Sequence, residues 1–385
     1  MFNFTTLPPL SLYVHIPWCL RKCPYCDFNS HEARTGIPEQ AYIDALITDL
    51  EQELPGIWGR TVQSIFFGGG TPSLMSAAGM DQLLSTIRAL LPLAPHAEIT
   101  LEANPGTFEQ EKFAAFHHSG INRLSIGIQS FNDVALTRLG RVHNSNEARQ
   151  AFTMARAAGF DNINLDLMYG LPQQDLTEAL ADIDLALALQ PEHLSHYQLT
   201  LEPNTLFHHQ PPSLPDADLL WDMQQACQQR LAAAGFEHYE ISAYTTRQRH
   251  CQHNLNYWQF GDYIGIGAGA HGKITDAFEQ HIRRTTKPRQ PQAYIDAARD
   301  SGNSLGQSHI VKRGEVGLEY LMNTLRLQQG FPVPQFQQRT GQTLNLIEKG
   351  LQLAEQRDLL HRDIHHIRTT ELGQRHLDEL LTLFM

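Results

Sequence analysis

Ile65-Phe66-Phe67-Gly68-Gly69-Gly70-Thr71-Pro72 is an apolar run that stops abruptly in glycine and proline. The bulky residues read as the end of a buried β-strand, and the glycines and proline that follow break it. The same kind of ending recurs along the chain. β-like runs at 12–16, 64–67, 98–102, 124–129, 163–168 and 194–201 alternate with amphipathic helical stretches such as 40–53, 80–90 and 147–158. Alternation of this kind predicts a parallel sheet with helical crossovers. Six such units predict an α/β fold, an incomplete (β/α)6 barrel of the TIM type, open on one side. Glu102 closes Ile99-Thr100-Leu101, Gln129 closes Ser125-Ile126-Gly127-Ile128, and Asp166 lies within Asn164-Leu165-Asp166-Leu167-Met168. Polar and glycine-rich residues thus collect at the C-terminal ends of the strands, the end that carries the active site in (β/α) barrels.

Upstream lies Cys19-Leu20-Arg21-Lys22-Cys23-Pro24-Tyr25-Cys26. This C-x3-C-x2-C spacing puts three thiolates on one short loop, one too few for a four-thiolate cube. A [4Fe–4S] cluster held by three cysteines keeps one iron with an open position. Three cysteines with a histidine can also hold zinc, but a zinc ribbon does not come with a barrel rim prepared for a cofactor. Cys227 and Cys251, far apart in sequence, read as small buried hydrophobes.

The bulk numbers bound the class. A length of 385 residues suggests two domains or one large barrel with an appendage, and 42% hydrophobic residues suffice for a core. No stretch reaches the roughly 18 uninterrupted apolar residues of a membrane span. The first residues lack the charged and apolar regions of a signal peptide. A cytoplasmic location is expected, with at most peripheral contact at the inner face of the membrane, and a reducing compartment suits cluster thiolates. The net charge of −12 argues against nucleic acid as a partner. The local cations Arg283, Arg284, Lys287 and Arg289 are either a solvated loop or a face for an anionic ligand. The 20 histidines raise the prior for metal or haem contact.

After residue 202 the pattern changes. Pro203, Pro211, Pro212 and Pro215 punctuate a loop, and 217–234 reads as a helix ending at Gly235. Ile264-Gly265-Ile266-Gly267-Ala268-Gly269-Ala270-His271 is glycine-rich, but no strand–helix unit with a ribose-binding acid follows it, so a tight turn at the barrel edge is expected. Polar stretches at 288–291 and 301–308 mark a boundary, and 361–370 followed by 371–383 resembles a wing and helix. The expected domains are a barrel core at 1–205, an extension at 206–300, and a C-terminal, mainly helical, winged-helix-like domain at 301–385.

Ile16-Pro17-Trp18-Cys19 through Cys26, with Gly68 to Pro72, resembles the radical S-adenosylmethionine (SAM) superfamily. The resemblance implies that the open iron chelates the methionine amino and carboxylate groups of SAM. The reduced cluster then cleaves the sulfonium bond to a 5′-deoxyadenosyl radical, the protein supplying binding and orientation. Its extension to the oxygen-independent coproporphyrinogen III oxidases and their relatives implies SAM contacts from Tyr13, Tyr25, Gly69, Gly70, Thr71, Glu102, Gln129, Arg141 and Asp166. Glu102 would accept from the ammonium and Arg141 would pair with the carboxylate. Asp166 and Gln129 would bond ribose hydroxyls or methionine polar atoms, and the glycines would let the backbone come close.

Two departures separate the chain from the oxidases. Phe28 stands where their pattern has a fourth cysteine, and eighteen residues precede Cys19 where they carry a long segment. Both features are similar to the haem chaperone branch, HemW. That likeness covers nearly the whole chain, including Leu199-Thr200-Leu201-Glu202-Pro203-Asn204-Thr205, and His253-Asn254-Leu255-Asn256-Tyr257-Trp258 matches the branch's H-N-x-x-Y-W signature. The signature offers His253 as a haem-iron ligand beside two aromatic faces, or else an aromatic-rich strand with a hydrogen-bonded histidine. His250 and His271 are secondary candidates. The resemblance implies a chaperone that binds haem, a [4Fe–4S] cluster and SAM, without coproporphyrinogen oxidase activity. Implied partners are a haem donor of bacterioferritin-like type, apo-haemoprotein recipients at the respiratory membrane, a low-potential electron donor and a second copy in a homodimer. The competing function is oxidative decarboxylation of coproporphyrinogen III, with Arg283, Arg284 and Lys287 receiving its propionates.

Overall fold

The computed structural model describes residues 2–34, 36–106, 110–246, 248–300 and 305–385. The sequence-predicted strands appear as β1 (Leu10–Ile16), β2 (Val62–Gly69), β3 (Leu93–Ala103), β4 (Arg123–Gln129), β5 (Ile163–Tyr169) and β6 (His193–Gln198). They pair in chain order and all in parallel. Between them run α1 (Glu39–Glu53), α2 (Ala77–Leu90), α3 (Gln110–His118), α4 (Ser145–Ala157) and α5 (Leu176–Leu189). The expected incomplete barrel is therefore the core of the molecule.

Strand alternation decides which face meets the helices. Leu12, Val14 and Ile16 of β1, Ile65 and Phe67 of β2, Ile99 and Leu101 of β3, and Leu124, Ile126 and Ile128 of β4 join the main apolar core. The intervening residues point to the opposite face, because side chains alternate along a strand. On that inner face Ser11 meets Ser64 at 2.8 Å, Ser125 meets Asp166 at 3.0 Å, and His193 meets Asn164 at 2.6 Å. A closed TIM barrel fills its interior with branched apolar side chains. Here the interior is polar and hydrogen-bonded.

The sheet extends past six strands. Helix α6 (Ala217–Ala233) leads to β7 (Glu237–Glu240) and β8 (Ala243–Thr245), which add antiparallel to β6. The glycine-rich segment does not begin as a turn. Its first half lies in β9 (Asp262–Ile266), a further parallel strand that occupies the free edge of β1. The turn expected there falls later, at Gly267 and Gly269, whose φ values of 106° and 79° suit glycine. Strands β10 (His271–Asp276), β11 (His281–Thr286) and β12 (Gln307–Ile310) continue antiparallel, so that this one sheet has twelve strands among the described residues. The H-N-x-x-Y-W segment is helix α7 (Gln252–Trp258), not a strand.

A second apolar core gathers Val316, Tyr320, Leu321, Phe336, Leu351 and Leu380, together with Phe4, Phe260 and Ile282. Over it lies a three-stranded antiparallel sheet of β13 (Phe331–Pro332), β14 (Leu360–Arg362) and β15 (His366–Thr369). The β14–β15 hairpin and the short helices after it take the place of the expected wing and helix. Of the polar boundary at 301–308, residues 301–304 lie outside the described residues. Among the described residues no helix is long and apolar enough to cross a membrane.

Candidate functional site

The cysteine loop is tied to the glycine run by backbone. Gly70 N–H donates to Ile16 O at 2.8 Å and Thr71 N–H to Trp18 O at 2.7 Å. A Cβ on Gly70 would stand 2.4 Å from Trp18 O, so only glycine allows this approach. Cys26 N–H donates to Cys23 O at 3.1 Å, which curls the loop. All three cysteines line one cavity of about 430 Å³, and Tyr25, Gly69, Gly70, Thr71, Glu102, Gln129, Arg141 and Asp166 line it with them. Tyr13 instead lines an adjoining cavity of about 780 Å³ that shares Cys26, Gly69 and Glu102. The structure thus brings every SAM and cluster candidate to two contiguous cavities at the C-terminal end of the parallel strands.

The donor set suits an iron–sulfur cube. Burial, with the neighbouring Cys26 and Cys23, pushes the Cys19 thiol up to about 11, and burial also raises Cys26. A metal takes the place of the proton and offsets that cost. Among the described residues no three His, Cys, Asp or Glu side chains converge on one metal-ion position.

Around this loop the rim is polar and buried. Glu102 Oε2 accepts from Gly69 N–H at 3.1 Å, and burial, then the charge of Asp166, pushes its carboxyl up to about 8. Asp166 accepts from Ser125 Oγ at 3.0 Å and Asn164 Nδ2 at 2.8 Å, while burial raises its pKa. Arg141 Nη2 donates to Asn104 Oδ1 and Gly127 O, both at 2.6 Å, and Nη1 lies 3.6 Å from Cys23 Sγ. Its Nε is buried without a hydrogen-bond partner among the described residues. Gln129 sits at φ 71° beside a bulge in β4 and accepts from Tyr197 OH at 2.8 Å. Non-glycine residues at positive φ are held by surrounding structure and concentrate at functional sites. Tyr13 OH donates to His15 Nδ1 at 2.9 Å, and His15 Nε2–H to Asn29 O at 2.8 Å.

Sequence reasoning missed Asn104, Ser125, Asn164 and Tyr197. Asn104 couples two of the candidates, since its Nδ2 donates to Thr71 Oγ1 at 2.7 Å while its Oδ1 receives Arg141. The signal was the polar alternation along the strands, which runs back from their ends to Ser125, Asn164 and Tyr197 and one residue past β3 to Asn104.

His253 requires correction. It is 1% exposed, its Nδ1 meets Ser64 Oγ at 3.0 Å, and its Nε2 meets Tyr257 OH at 3.0 Å. Its backbone N–H donates to Glu98 Oε1 at 3.1 Å. Burial, then the Arg123 charge, lowers its pKa to about 3, so the ring is neutral. With both nitrogens engaged inside the barrel, His253 offers no lone pair to an iron; it anchors Tyr257. Tyr257 and Trp258 do reach the larger cavity, with Phe28, His271, Lys22, Arg284 and Arg289. His250 faces a separate cavity and lies 3.4 Å from Glu237.

The expected propionate cations also change. Lys287 is buried against Asp49 and Glu53, at 2.5 Å and 2.9 Å, and Arg283 meets Glu53 at 3.3 Å. Arg284 lines the larger cavity but is held by Glu319 at 2.5 Å and Tyr263 OH at 2.8 Å. Two of the three, Arg283 in β11 and Lys287 just after it, form a structural brace to α1.

The radical SAM superfamily profile matches residues 13–186, and that of the HemN C-terminal domain matches residues 312–376. The chain is 48% identical over 379 residues to the heme chaperone HemW of Escherichia coli (strain K12), spanning 98% of this chain and 99% of that one. It is 46% identical over 383 residues to the HemW of Haemophilus influenzae, spanning 98% of each. With the HemW of Bacillus subtilis the identity is 34% over 389 residues, 97% of this chain and 99% of the relative. Among solved structures, coproporphyrinogen III oxidase (HemN) from Escherichia coli superposes with a TM-score of 0.83 over 98% of this chain and 90% of that one. At 23% identity that likeness speaks for the fold alone.

Proposed function

The chain belongs to the radical SAM superfamily and, within it, to the family of the heme chaperone HemW, and from that premise we propose that it binds haem in the larger cavity and passes it to apo-haemoproteins. The carrying observation is the make-up of that cavity. It is about 780 Å³, shares Cys26, Gly69 and Glu102 with the cluster cavity, and is walled by Tyr257, Trp258 and Phe28 with the cations Lys22 and Arg289 beside them. Aromatic faces with nearby cations suit a flat apolar macrocycle bearing two carboxylates. Phe28, 59% exposed at the cysteine loop, adds an apolar surface where a fourth cysteine would have added a thiol.

Cys19, Cys23 and Cys26 would hold the [4Fe–4S] cluster. The backbone at Gly69 and Gly70, with Glu102 and Arg141, would hold the methionine end of SAM, and Asp166 and Gln129 its ribose. When bound, this pair supplies one-electron reductive chemistry. The chain's own residues bind, orient and exclude water. Recipients would be respiratory apo-haemoproteins reached at the membrane, with a bacterioferritin-like haem donor and a low-potential electron donor upstream. Coproporphyrinogen decarboxylation is the weaker alternative, because Arg283 and Lys287 are committed to Glu53 and Asp49.

Titration of the pure protein with haemin tests the proposal: a saturable Soret shift is expected, and its absence would sink the haem-binding reading. SAM affinity should also follow pH. Glu102 is protonated below about 8, and its ionised form accepts more strongly from the N–H groups of the methionine amino nitrogen. Affinity, read by equilibrium dialysis, is therefore expected to rise as pH climbs from 6 toward about 8. Glu102→Gln should flatten that rise, and an unchanged slope would remove Glu102 from the amino-group site.

A further inference from the structure

Most polar groups on the wall of the larger cavity are already committed. Lys22 Nζ donates to Phe28 O at 3.1 Å, Lys273 Nζ meets Asp262 at 2.9 Å, and Arg284 meets Glu319. Both nitrogens of His15 are hydrogen-bonded. His271 and Arg289 are different. Both are exposed cavity-lining residues, and neither side chain has a hydrogen-bond or ion-pair partner among the described residues.

His271 is also well placed to be rigid. It opens β10 directly after the Gly267–Gly269 turn and pairs with Thr286 of β11. Its carbonyl lies 1.9 Å from where a Cβ on Gly265 would stand, so the two backbones are packed together. Although the ring opens onto the cavity, partial desolvation against its wall, then the charges of Arg289 and Arg284, lowers its pKa, so at neutral pH the imidazole is uncharged and its lone pair is available. A ligand held on a strand keeps its geometry better than one on a free loop.

We propose that His271 supplies the axial imidazole to haem iron in this cavity, with Tyr257 and Trp258 against the macrocycle and Arg289 meeting a propionate. This assignment rests on the haem-binding reading above. The bond forms by donation of a neutral nitrogen lone pair to iron, and neither proton nor electron is released. Arg289 then forms a charge-assisted bond that no carboxylate of the protein already occupies.

Spectroscopic haemin titration of the full chain tests it. The wild-type protein should give an imidazole-type Soret spectrum. His271→Ala, checked for folding by circular dichroism, should bind about tenfold or more weakly and lose that spectrum, and added imidazole should restore it. His271→Met should give a thioether-type spectrum in its place. Arg289→Ala should weaken binding of haemin but not of its dimethyl ester, leaving the spectrum unchanged. A His271→Ala protein with wild-type affinity and spectrum would overturn the assignment while leaving haem binding intact. A wild-type protein with no saturable Soret shift would overturn both.

Discussion

A Cys23→Ala chain, reconstituted anaerobically with iron and sulfide, is expected to hold almost no cluster where the parent holds about four irons. The loop provides three thiolates and no spare. Cys227 and Cys251 cannot substitute, because both are fully buried within the fold away from the loop. Iron and sulfide analysis, with the broad visible absorbance of the cluster, reads the result. Wild-type iron content in this variant would mean that the triplet is not the cluster site. The loss should not unfold the barrel, since the cysteine loop lies over its mouth and is held mainly by backbone bonds.

Arg123→Leu should do the opposite, sparing the cysteine loop but destabilising the barrel by about 3–5 kcal/mol. Arg123 is 2% exposed on the polar inner face of β4, and its Nε lies 3.9 Å from Glu98 Oε2. Removing it leaves Glu98 as a buried charge with only neutral donors, the His253 N–H at 3.1 Å and the Cys251 thiol at 3.6 Å. Burial pushes that thiol up to about 12, so it remains protonated. A lower urea midpoint is the expected readout. Adding Glu98→Gln should recover much of the loss, because the stranded charge rather than the missing pair is the cost. Equal stability of wild type and Arg123→Leu would show that the interior tolerates an unpaired carboxylate.

Much of the barrel could be read from the sequence because its six strands carry apolar runs with abrupt polar ends. The site was legible for a related reason: Glu102 and Gln129 are polar residues where strands stop, and Asp166 is a carboxylate set inside an apolar strand run. Strand β9 was not, because Asp-Tyr-Ile-Gly-Ile is short and its glycine reads as a turn. Helix α7 was missed because Tyr257 and Trp258 carry strand propensity that the tertiary setting overrides. There Asn256 Nδ2 caps the turn into β9 by donating to Asp262 O at 2.8 Å. The charge run at 283–289 was ambiguous in principle. No local pattern shows that Asp49 and Glu53, on a helix near the start of the chain, neutralise Lys287.

The pairing of β9 with β1 has a consequence for biosynthesis. As the chain leaves the ribosome, β1 emerges well ahead of β9, and one edge stays bare until residue 262 arrives to cover it. Phe4 waits longer still, since its companions include Phe336, Leu351 and Leu380. An unpaired strand edge is an aggregation hazard during that interval. The newborn polypeptide is therefore exposed to misassembly until residues 262 to 380 have joined β1 and Phe4.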